Sequence, residues 1–579
     1  MKEVLLNFVG DNGLNPFNSL KTSVRRGGES IFKTTDAKLI FNKVLSKLSS
    51  KFVFSETSNL WNVFSFVSDF SEIMKRQDFF KSISIKGMED GGFLEELARP
   101  RQDWSPEYDV VVVTEDESTF SRLQKLNCTV QYIVNENDVM ELQRYDVVQI
   151  IDCEMFGSVL SSLPQSVFIS SEEDVYLERF LEELSSWRSN LDVLKKSNFS
   201  GEIMEITNFL MSLCDLIDKK ANKGLTIEGA EKVLESINEE INEKVSKMMV
   251  SGDSLVKILS EGKMPEDFEK IIDEALGISG LPHEIFSFKI PVELDYKELE
   301  GYIQRQNANE FTDLAEGIKR RSAELRQIPK KLERLRMLLI FEDFCLGVSK
   351  YLSGRETYQI LSENIHFENI KNFFLDKPQP ISFQLDSFSK CSILTGANSG
   401  GKTTLLEHVL QNISFFQLGL PVSGVVHMPV IDNVYYFAKN KGSASKGAFE
   451  TLLTQMSKID AQMGKNSLIL ADEIEAVTEP GVAGKIIAAT AEYYISKDCF
   501  LIVATHLGYE IQDCLPRGAR IDGIEAKGLD ADFNLIVDHN PVLGRLAHST
   551  PELIVERMAN SFDVPYFRFL QESLKKKEL

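Results

Sequence analysis

The stretch that decides the fold of this chain is Gly396-Ala-Asn-Ser-Gly-Gly-Lys402-Thr403-Thr404. It fits the pattern G-x-x-x-x-G-K-[ST], follows an apolar run that includes Ile393 and Leu394, and opens a helical pattern. The glycines let backbone N–H groups turn inward onto a triphosphate, and the start of the helix adds partial positive charge. The stretch therefore predicts a strand, a phosphate-binding loop and a helix that together hold ATP.

The polar residues of this loop have separate expected roles. Lys402 reaches the outer phosphates, and the Thr403 hydroxyl is a ligand of Mg²⁺. The other predicted contacts to the nucleotide are Gly396, Ala397, Asn398, Ser399, Gly400, Gly401 and Thr404. A chance glycine-rich turn is the alternative, and the flanking strand and helix patterns argue against it.

Two later strand ends add the groups that ATP hydrolysis needs. Leu468-Ile-Leu-Ala-Asp472-Glu473 is an apolar strand that ends in two carboxylates. An aspartate there holds Mg²⁺, and a neighbouring glutamate orients and deprotonates the attacking water. Another strand ends in Thr505-His506, where a histidine can sense the γ-phosphate. We therefore predict that Lys402, Asp472, Glu473 and His506 are the catalytic residues.

Outward from this loop, the chain divides into four predicted regions. Residues 358–579 alternate short β-branched runs with helical patterns, which is typical of an α/β domain, and they end in a helical segment. Residues 172–357 are helical almost throughout, and one long helix is expected from Tyr296 to Ser353 with a break near Pro329. Residues 106–171 predict a small parallel α/β unit, and residues 1–105 a mainly helical region. The predicted fold class is an α/β ATPase domain preceded by a small α/β unit and a long helical region.

The small α/β unit carries acidic residues after two of its strands. Glu115 and Asp116 follow the first strand, and Asp152 and Glu154 follow the third. Carboxylates in such positions can hold a metal ion or cap helices and loops. We favour capping, because acidic residues commonly stabilise helix N-termini.

Composition narrows the function classes. The chain has 579 residues and a formal net charge of −23. This overall negative charge repels nucleic acid, so any contact with DNA needs a local basic face. Its seven cysteines form no C-x-x-C pair, which fits the reducing cytoplasm. The N-terminus has no signal-peptide pattern, and no apolar run reaches the ~18 residues that a membrane span needs.

Four segments resemble motifs of the MutS family. Thr395-Gly-Ala-Asn-Ser-Gly-Gly-Lys-Thr-Thr404 is similar to the family's T-G-P-N-M-G-G-K-S-T, and Ala504-Thr-His506 is similar to its A-T-H. The residues from Asp472 to Thr478 resemble its D-E-x-x-x-x-T segment. Ser445-Lys-Gly-Ala-Phe449 resembles the S-x-x-T-F loop, which in that family acts across the dimer on the partner's ATP.

The resemblance implies a DNA-binding ATPase that uses ATP and Mg²⁺ and forms a homodimeric clamp with composite ATP sites. Ser445 would then belong to the partner's site, and residues 172–357 would form the family's core, lever and clamp. The F-x-E triplets of this chain lack the context of the family's mismatch wedge, which favours a reader of duplex or branched DNA structure. The alternatives are a true mismatch-recognition protein and an ABC-type ATPase subunit of another complex. The second lacks support because no L-S-G-G-Q sequence is present.

Two sets of basic residues are candidates for phosphate contacts. Either set can instead form solvated helix faces paired with acidic neighbours. The first set is Lys319, Arg320, Arg321, Arg326, Lys330, Lys331, Arg334 and Arg336, and the second is Lys223, Lys232, Lys244, Lys247, Lys257 and Lys263.

Two further features involve aromatic residues. Phe373 or Phe374 is a candidate to stack on adenine, with a core position as the alternative. The segment from Ser549 to Phe569 begins with a good helix start and carries an apolar stripe, which is either a dimer interface or local core. Few residues follow this segment, so we expect no appended nuclease module.

Overall fold

The chain divides into two units. One consists of Met1–Glu95 and Arg336–Leu579, and the other of Glu96–Leu335. The computed structural model describes all residues except 18–23, 86–91, 100–109, 127–128, 176, 198, 200, 222–225, 248–265, 288, 356, 397–400, 439–453, 455, 458, 460–465, 474–478, 530–534, 548–550, 563 and 576–579. None of the described helices is both long and apolar enough to cross a lipid bilayer.

The secondary structure alternates helical and strand-rich segments along the chain. The helices are α1 (Lys2–Asp11), α2 (Thr35–Ser49), α3 (Phe70–Ile85), α4 (Gly92–Glu95), α5 (Glu117–Leu123), α6 (Glu136–Glu141), α7 (Gly157–Leu160), α8 (Glu178–Ser186), α9 (Arg188–Lys196), α10 (Glu202–Ala221), α11 (Ile227–Ser246), α12 (Glu266–Ile278), α13 (Tyr296–Arg320), α14 (Ser322–Leu325), α15 (Ile328–Leu352), α16 (Lys402–Leu418), α17 (Pro480–Ser496), α18 (Gly508–Gln512), α19 (Pro551–Ser561) and α20 (Pro565–Lys575). The strands are β1 (Val110–Thr114), β2 (Val130–Tyr132), β3 (Val147–Ile150), β4 (Ser166–Phe168), β5 (Ile360–Leu361), β6 (Ile365–Ile370), β7 (Ile381–Leu385), β8 (Cys391–Gly396), β9 (Val425–Met428), β10 (Asn433–Phe437), β11 (Ser467–Asp472), β12 (Phe500–Ala504), β13 (Ala519–Leu529) and β14 (Leu535–Val542).

Strands β1–β4 form a parallel sheet in the order β2-β1-β3-β4. The central strand β1 is buried along its whole length, as a β-branched run in a parallel sheet should be. Two of the four acidic residues after these strands act as caps. Glu115 accepts hydrogen bonds from the backbone N–H groups of residues 154, 155 and 156, and Asp116 caps α5 by accepting from Thr119 N. These bonds agree with the capping interpretation, and no cluster of three or more metal-ligating side chains occurs among the described residues.

The helical part of the same unit contains a core formed by α11, α12 and the start of α13. Ile237 and Ile241 of α11 are buried there with Ile272 and Leu276 of α12. The long predicted helix divides earlier than expected, because α13 ends at Arg320 and α15 begins at Ile328. Pro329 lies in the first turn of α15, where the missing N–H removes no intrahelical hydrogen bond, so the break precedes this proline.

The other unit is built on a six-stranded sheet in the order β10-β11-β12-β8-β13-β14. All neighbouring strands are parallel except the hairpin of β13 and β14. Helix α17 packs on one face, where Ile487 and Ala491 contact the core that includes Ile469 and Leu501. Helix α16 contacts β8, β11 and β12, and α2 and α3 pack against α16. Because it is covered on both sides, α16 is buried almost all round.

A second sheet, in the order β5-β9-β6-β7, belongs to the same unit. The residues before α2 pair with the edge of the six-stranded sheet, where Lys33 N donates to Val434 O and Val434 N donates to Ile31 O. The segment after α2 is also fixed, because the buried Asp343 of α15 accepts from Val53 N, Phe54 N and the Thr57 hydroxyl. The N-terminal helices therefore pack with the six-stranded sheet in one compact unit.

Candidate active site

The carboxyl ends of β8, β11 and β12 meet at one edge of the six-stranded sheet. In the register of these parallel strands, Asp472 of β11 lies beside Ala504 of β12, and Ala504 lies beside Leu394 of β8. Residues that follow the three strands therefore lie close together, which is where open α/β sheets bind ligands. This register brings Lys402, Thr403, Asp472, Glu473 and His506 to one edge.

Two glycines fix the backbone at the ends of the phosphate loop. Gly396 has φ +133°, and a Cβ placed there would lie 2.3 Å from Ile524 O. Gly401 has φ +89°, and a Cβ placed there would lie 3.0 Å from His539 Nδ1. Both positions combine a left-handed backbone with close approach, so both require glycine. The predicted contacts Ala397, Asn398, Ser399 and Gly400 lie outside the described residues.

Lys402 is the first residue of α16 and is almost fully buried. Its Nζ donates a hydrogen bond of 2.6 Å to the carbonyl oxygen of Gly396, at the other end of the loop. The ammonium group therefore lies across the loop that the sequence predicts to hold phosphates.

Thr403 and Asp472 bring two oxygen donors together. The Thr403 hydroxyl donates to Asp472 Oδ2 over 2.7 Å, while Thr403 is exposed and Asp472 is buried at its strand end. A hydroxyl and a carboxylate are hard oxygen ligands of the kind that Mg²⁺ prefers. The donor set at this point fits the predicted magnesium site.

Glu473 and His506 form a second pair at the same edge. Glu473 Oε1 lies 2.7 Å from His506 Nε2, and the exposed fractions of the two side chains are 11% and 37%. The backbone of Glu473 has φ +46°, and its N–H donates to Ala504 O over 2.8 Å. This uncommon conformation for a non-glycine residue turns the chain directly after Asp472.

A pocket of about 100 Å³ lies beside the start of α16. Its lining includes Asn372, Leu375, Gln379, Gly401, His408 and His539. The Asn372 Oδ1 atom accepts from Gln411 Nε2 and Phe374 N, which fixes the orientation of its amide. Burial lowers the pKa of His408 from 6.5 to about 4, so its imidazole is neutral at physiological pH.

Sequence patterns missed most of this pocket. His539 belongs to β14, and Gln379 holds that strand by accepting from His539 N and donating to Asp538 Oδ1. No local spacing links these residues to the phosphate loop, so only the tertiary arrangement identifies them. Phe373 packs against Tyr351 and Phe415 outside the pocket lining, which agrees with the alternative of a core position.

Most of the first basic set is engaged by acidic or backbone groups. Arg321 bonds Ser212 O, Asp215 and Glu324, Arg326 pairs with Asp174, and Arg334 pairs with Glu202. Arg320 pairs with Glu316 four residues earlier, and the Lys331 ammonium lies over the ring of Phe209. This pattern agrees with the alternative of a helix face paired with acidic neighbours.

The described lysines of the second basic set are also paired. Lys232 pairs with Glu228, Lys247 with Glu243, and Lys244 with both Glu240 and Glu274. Lys223, Lys257 and Lys263 lie outside the described residues, as do Ser445-Lys-Gly-Ala-Phe449 and the segment from Ile474 to Thr478.

Comparison with known proteins gives a match along nearly the whole chain. The DNA-binding protein MutS2 of Pyrococcus furiosus is 30% identical over an alignment of 570 residues. The match covers 90% of this chain and 96% of that protein. The DNA mismatch repair protein MutS of Thermotoga neapolitana is 22% identical over 56% of this chain and 43% of its own length. An endonuclease MutS2 of Anaeromyxobacter is 30% identical over 23% of this chain, and this chain spans 17% of it. A scan against protein-family models gave no match.

The long match and the site agree with the resemblance seen in the sequence. The alignment with this relative extends over almost its whole length and over both structural units of this chain. The two proteins therefore share their ancestry along both units. The chain therefore belongs to the MutS family.

Proposed function

We propose that this chain is an ATP-hydrolysing, DNA-binding protein that acts as a homodimer on duplex or branched DNA. The observation that carries the proposal is the convergence of a buried lysine, a threonine–aspartate pair and a glutamate–histidine pair at one sheet edge. These are the groups that phosphoryl transfer to water requires. The architecture proposed for residues 358–579 is accordingly that of a P-loop ATPase of the MutS type.

The nucleotide would bind with its phosphates at the start of α16 and its base in the neighbouring pocket. Lys402 then exchanges its bond to Gly396 O for phosphate oxygens, and the N-terminus of α16 adds positive potential. Thr403 and Asp472 would hold Mg²⁺, which would supply neutralisation of phosphate charge. The Thr403 hydroxyl and Asp472 Oδ2 lie 2.7 Å apart at the strand end.

Glu473 is the proposed general base, because its carboxylate follows Asp472 directly and is mostly shielded from solvent. His506 holds that carboxylate at 2.7 Å and is exposed enough to reach a γ-phosphate. The two residues would have separate roles. Glu473 accepts the proton of the attacking water, and His506 contacts the phosphate.

The proposed DNA binding rests on the name of the archaeal relative, DNA-binding protein MutS2, and on the length of that match. The match to the mismatch repair protein MutS covers 56% of this chain, and the sequence has no recognisable F-x-E wedge. A reader of DNA structure is therefore favoured over a dedicated mismatch reader. The cysteines of the sequence form no C-x-x-C pair, which supports a cytoplasmic location.

Two substitutions test the hydrolysis mechanism. Glu473→Gln should lower the ATP turnover rate by about 10²-fold or more while ATP still binds, because the amide cannot accept the proton of water. Lys402→Ala should lose nucleotide binding as well, since it removes the charge that meets the phosphates. Both variants are compared with wild type by phosphate release and by titration of a fluorescent ATP analogue. Wild-type turnover in Glu473→Gln would contradict the assignment of the base.

Mixed dimers test the composite site. Ser445→Ala and Lys402→Ala proteins should each be inactive alone, and their mixture should regain turnover because one site of the heterodimer then has both groups intact. Subunit exchange is verified with differently labelled chains. A mixture that exchanges subunits and stays inactive would contradict action of Ser445 across the dimer.

A further inference from the structure

We propose that Asp36 is a positioning residue of the nucleotide site, because its carboxylate fixes the carboxyl end of β10 beside the strand that ends in Asp472 and Glu473. Asp36 lies in the first turn of α2, far from these residues in sequence. The inference rests on the proposed ATP hydrolysis and assigns a role in it to the N-terminal helices.

Four hydrogen bonds form a continuous ladder along the outer edge of β10. Two are between backbones, from Lys33 N to Val434 O and from Val434 N to Ile31 O. Two continue the ladder with side chains, where Thr34 Oγ1 accepts from Tyr436 N over 2.9 Å and Asp36 Oδ2 accepts from Ala438 N over 3.2 Å. The outward N–H groups of residues 434, 436 and 438 are thus all paired with the N-terminal segment.

The ladder fixes the sheet next to the proposed magnesium ligand. β10 pairs with β11 in parallel register up to Phe437 and Ala471, one position before Asp472. Ala438 follows β10 directly, and in the sequence the residues that include Ser445 come next. A carboxylate is an acceptor-only group that forms strong bonds to backbone N–H groups, so Asp36 is well suited to hold this strand end.

The remainder of α2 contacts other parts of the nucleotide site. The helix packs against α16, which begins with Lys402. Lys47 Nζ donates to Phe373 O over 2.7 Å, and the Lys43 ammonium lies 4.2 Å from the ring centroid of Phe374. Phe374 immediately precedes Leu375 of the pocket lining. A single helix thus touches the strand end, the helix after the phosphate loop and the segment before the pocket.

The test separates positioning from nucleotide binding. Asp36→Ala removes the acceptor for Ala438 N, and we expect kcat for ATP to fall about tenfold with KM close to the wild-type value. Asp36→Asn keeps a side-chain oxygen that can accept this bond, and we expect it to restore most of the turnover. A matched pair of variants tests the preceding bond of the ladder, from Tyr436 N to Thr34 Oγ1. Thr34→Val loses the hydroxyl that accepts this bond, and Thr34→Ser keeps it.

The control variant is Asp138→Ala in the other unit. Like Asp36, Asp138 lies in the first turn of a helix and bonds backbone N–H groups, here those of Val134 and Asn135. Its substitution by alanine should therefore cause local structural damage comparable to that of Asp36→Ala. We expect it to leave kcat unchanged. Hydrogen–deuterium exchange of the peptide that contains residues 434–438 gives a readout independent of turnover, and it should be faster in Asp36→Ala than in wild type and Asp138→Ala.

The outcomes separate this proposal from the proposed function. Faster exchange with lower kcat and unchanged KM supports the role of Asp36, whereas wild-type kcat in Asp36→Ala overturns it. A loss of kcat in Asp36→Ala that Asp36→Asn does not recover also overturns it, as does equal exchange in all variants. If wild type itself neither binds nor hydrolyses ATP, the proposed function fails, while the exchange experiment still decides whether Asp36 holds the strand end.

Discussion

At the scale of single residues, the site is held together by bonds between its own members. Lys402 crosses the phosphate loop to Gly396 O, Thr403 bonds Asp472, and His506 bonds Glu473. Each proposed catalytic group is therefore oriented by a neighbour that is itself part of the predicted site. Such mutual support lowers the cost of ordering these side chains when nucleotide binds.

His408 makes a pH-dependent contribution to stability. The folded chain holds its imidazole neutral with a pKa of about 4, against 6.5 for the free side chain. The unfolded chain therefore takes up the extra proton, so the contribution is complete above pH 6.5 and is lost as the pH falls towards 4. We expect wild type to lose about 3 kcal/mol of unfolding free energy across this range relative to His408→Gln. Urea unfolding of both proteins at several pH values measures the difference, and parallel curves would contradict it.

Gly401 should tolerate no side chain. Its φ of +89° and the 3.0 Å approach of a Cβ to His539 Nδ1 combine backbone strain with a clash at the pocket wall. Gly401→Ala should weaken binding of a fluorescent ATP analogue by about tenfold or more, since strain of this kind costs roughly 1–3 kcal/mol. Gly277→Ala is the matched control, because that glycine lies within α12 with open space around it. Equal affinities of the two variants would show that the loop tolerates a Cβ.

At the scale of elements, the helices α19 and α20 form a hairpin with an unusually apolar exposed surface. Phe562, Tyr566 and Phe569 are 55%, 62% and 65% exposed. The ring of Phe567 contacts both Phe562 and Tyr566, so these three side chains form one cluster. Contiguous exposed apolar surface is uncommon on monomeric proteins and often marks a site of association.

The hairpin should therefore contribute to the interface of the proposed dimer. The double substitution Tyr566→Ser and Phe569→Ser should shift the chain towards monomer in sedimentation experiments while the melting temperature changes little, since both side chains are exposed. Phe388→Ser, at an 86% exposed position between β7 and β8, is the matched control. A double variant that remains as dimeric as this control would remove the hairpin from the interface.

At the scale of the whole molecule, charge limits how the chain can meet DNA. The net charge is −23, and the arginines and lysines described above in both candidate sets are mostly paired with acidic side chains. Binding that depends on phosphate contacts must therefore compete with these internal pairs. Such contacts orient a protein on the duplex without reading its sequence.

The chain should discriminate weakly between a single G·T mismatch and homoduplex. Without a recognisable wedge, the expected preference is for junctions or bent DNA, together with a steep salt dependence. Fluorescence anisotropy with homoduplex, G·T duplex and four-way DNA, at several salt concentrations with and without ATP, measures this. A preference for the mismatch of about 10²-fold at physiological salt would reach the upper range for a single defect and contradict the prediction.

Short motifs were enough to locate the candidate nucleotide site from the sequence. Local patterns of consecutive residues identified the main site positions, because each lies at the end of an apolar strand or at the start of a helix. These positions are Gly396, Lys402, Asp472 and His506. Parallel strands then bring their carboxyl ends to one edge whatever lies between them in sequence. The family followed from the same short motifs, and the archaeal relative agrees with it along 90% of the chain.

The surroundings of these groups depend on contacts that form only in the folded chain. The pairing of Asp36 with Ala438 spans 402 positions, and the pocket joins Asn372 to His539, so no periodicity reveals either. The break between α13 and α15 and the pairing of the basic residues with acids also depended on neighbours from other elements. The physical reason is that propensity and spacing act over a few residues, whereas packing and long-range hydrogen bonds are fixed only when distant segments meet.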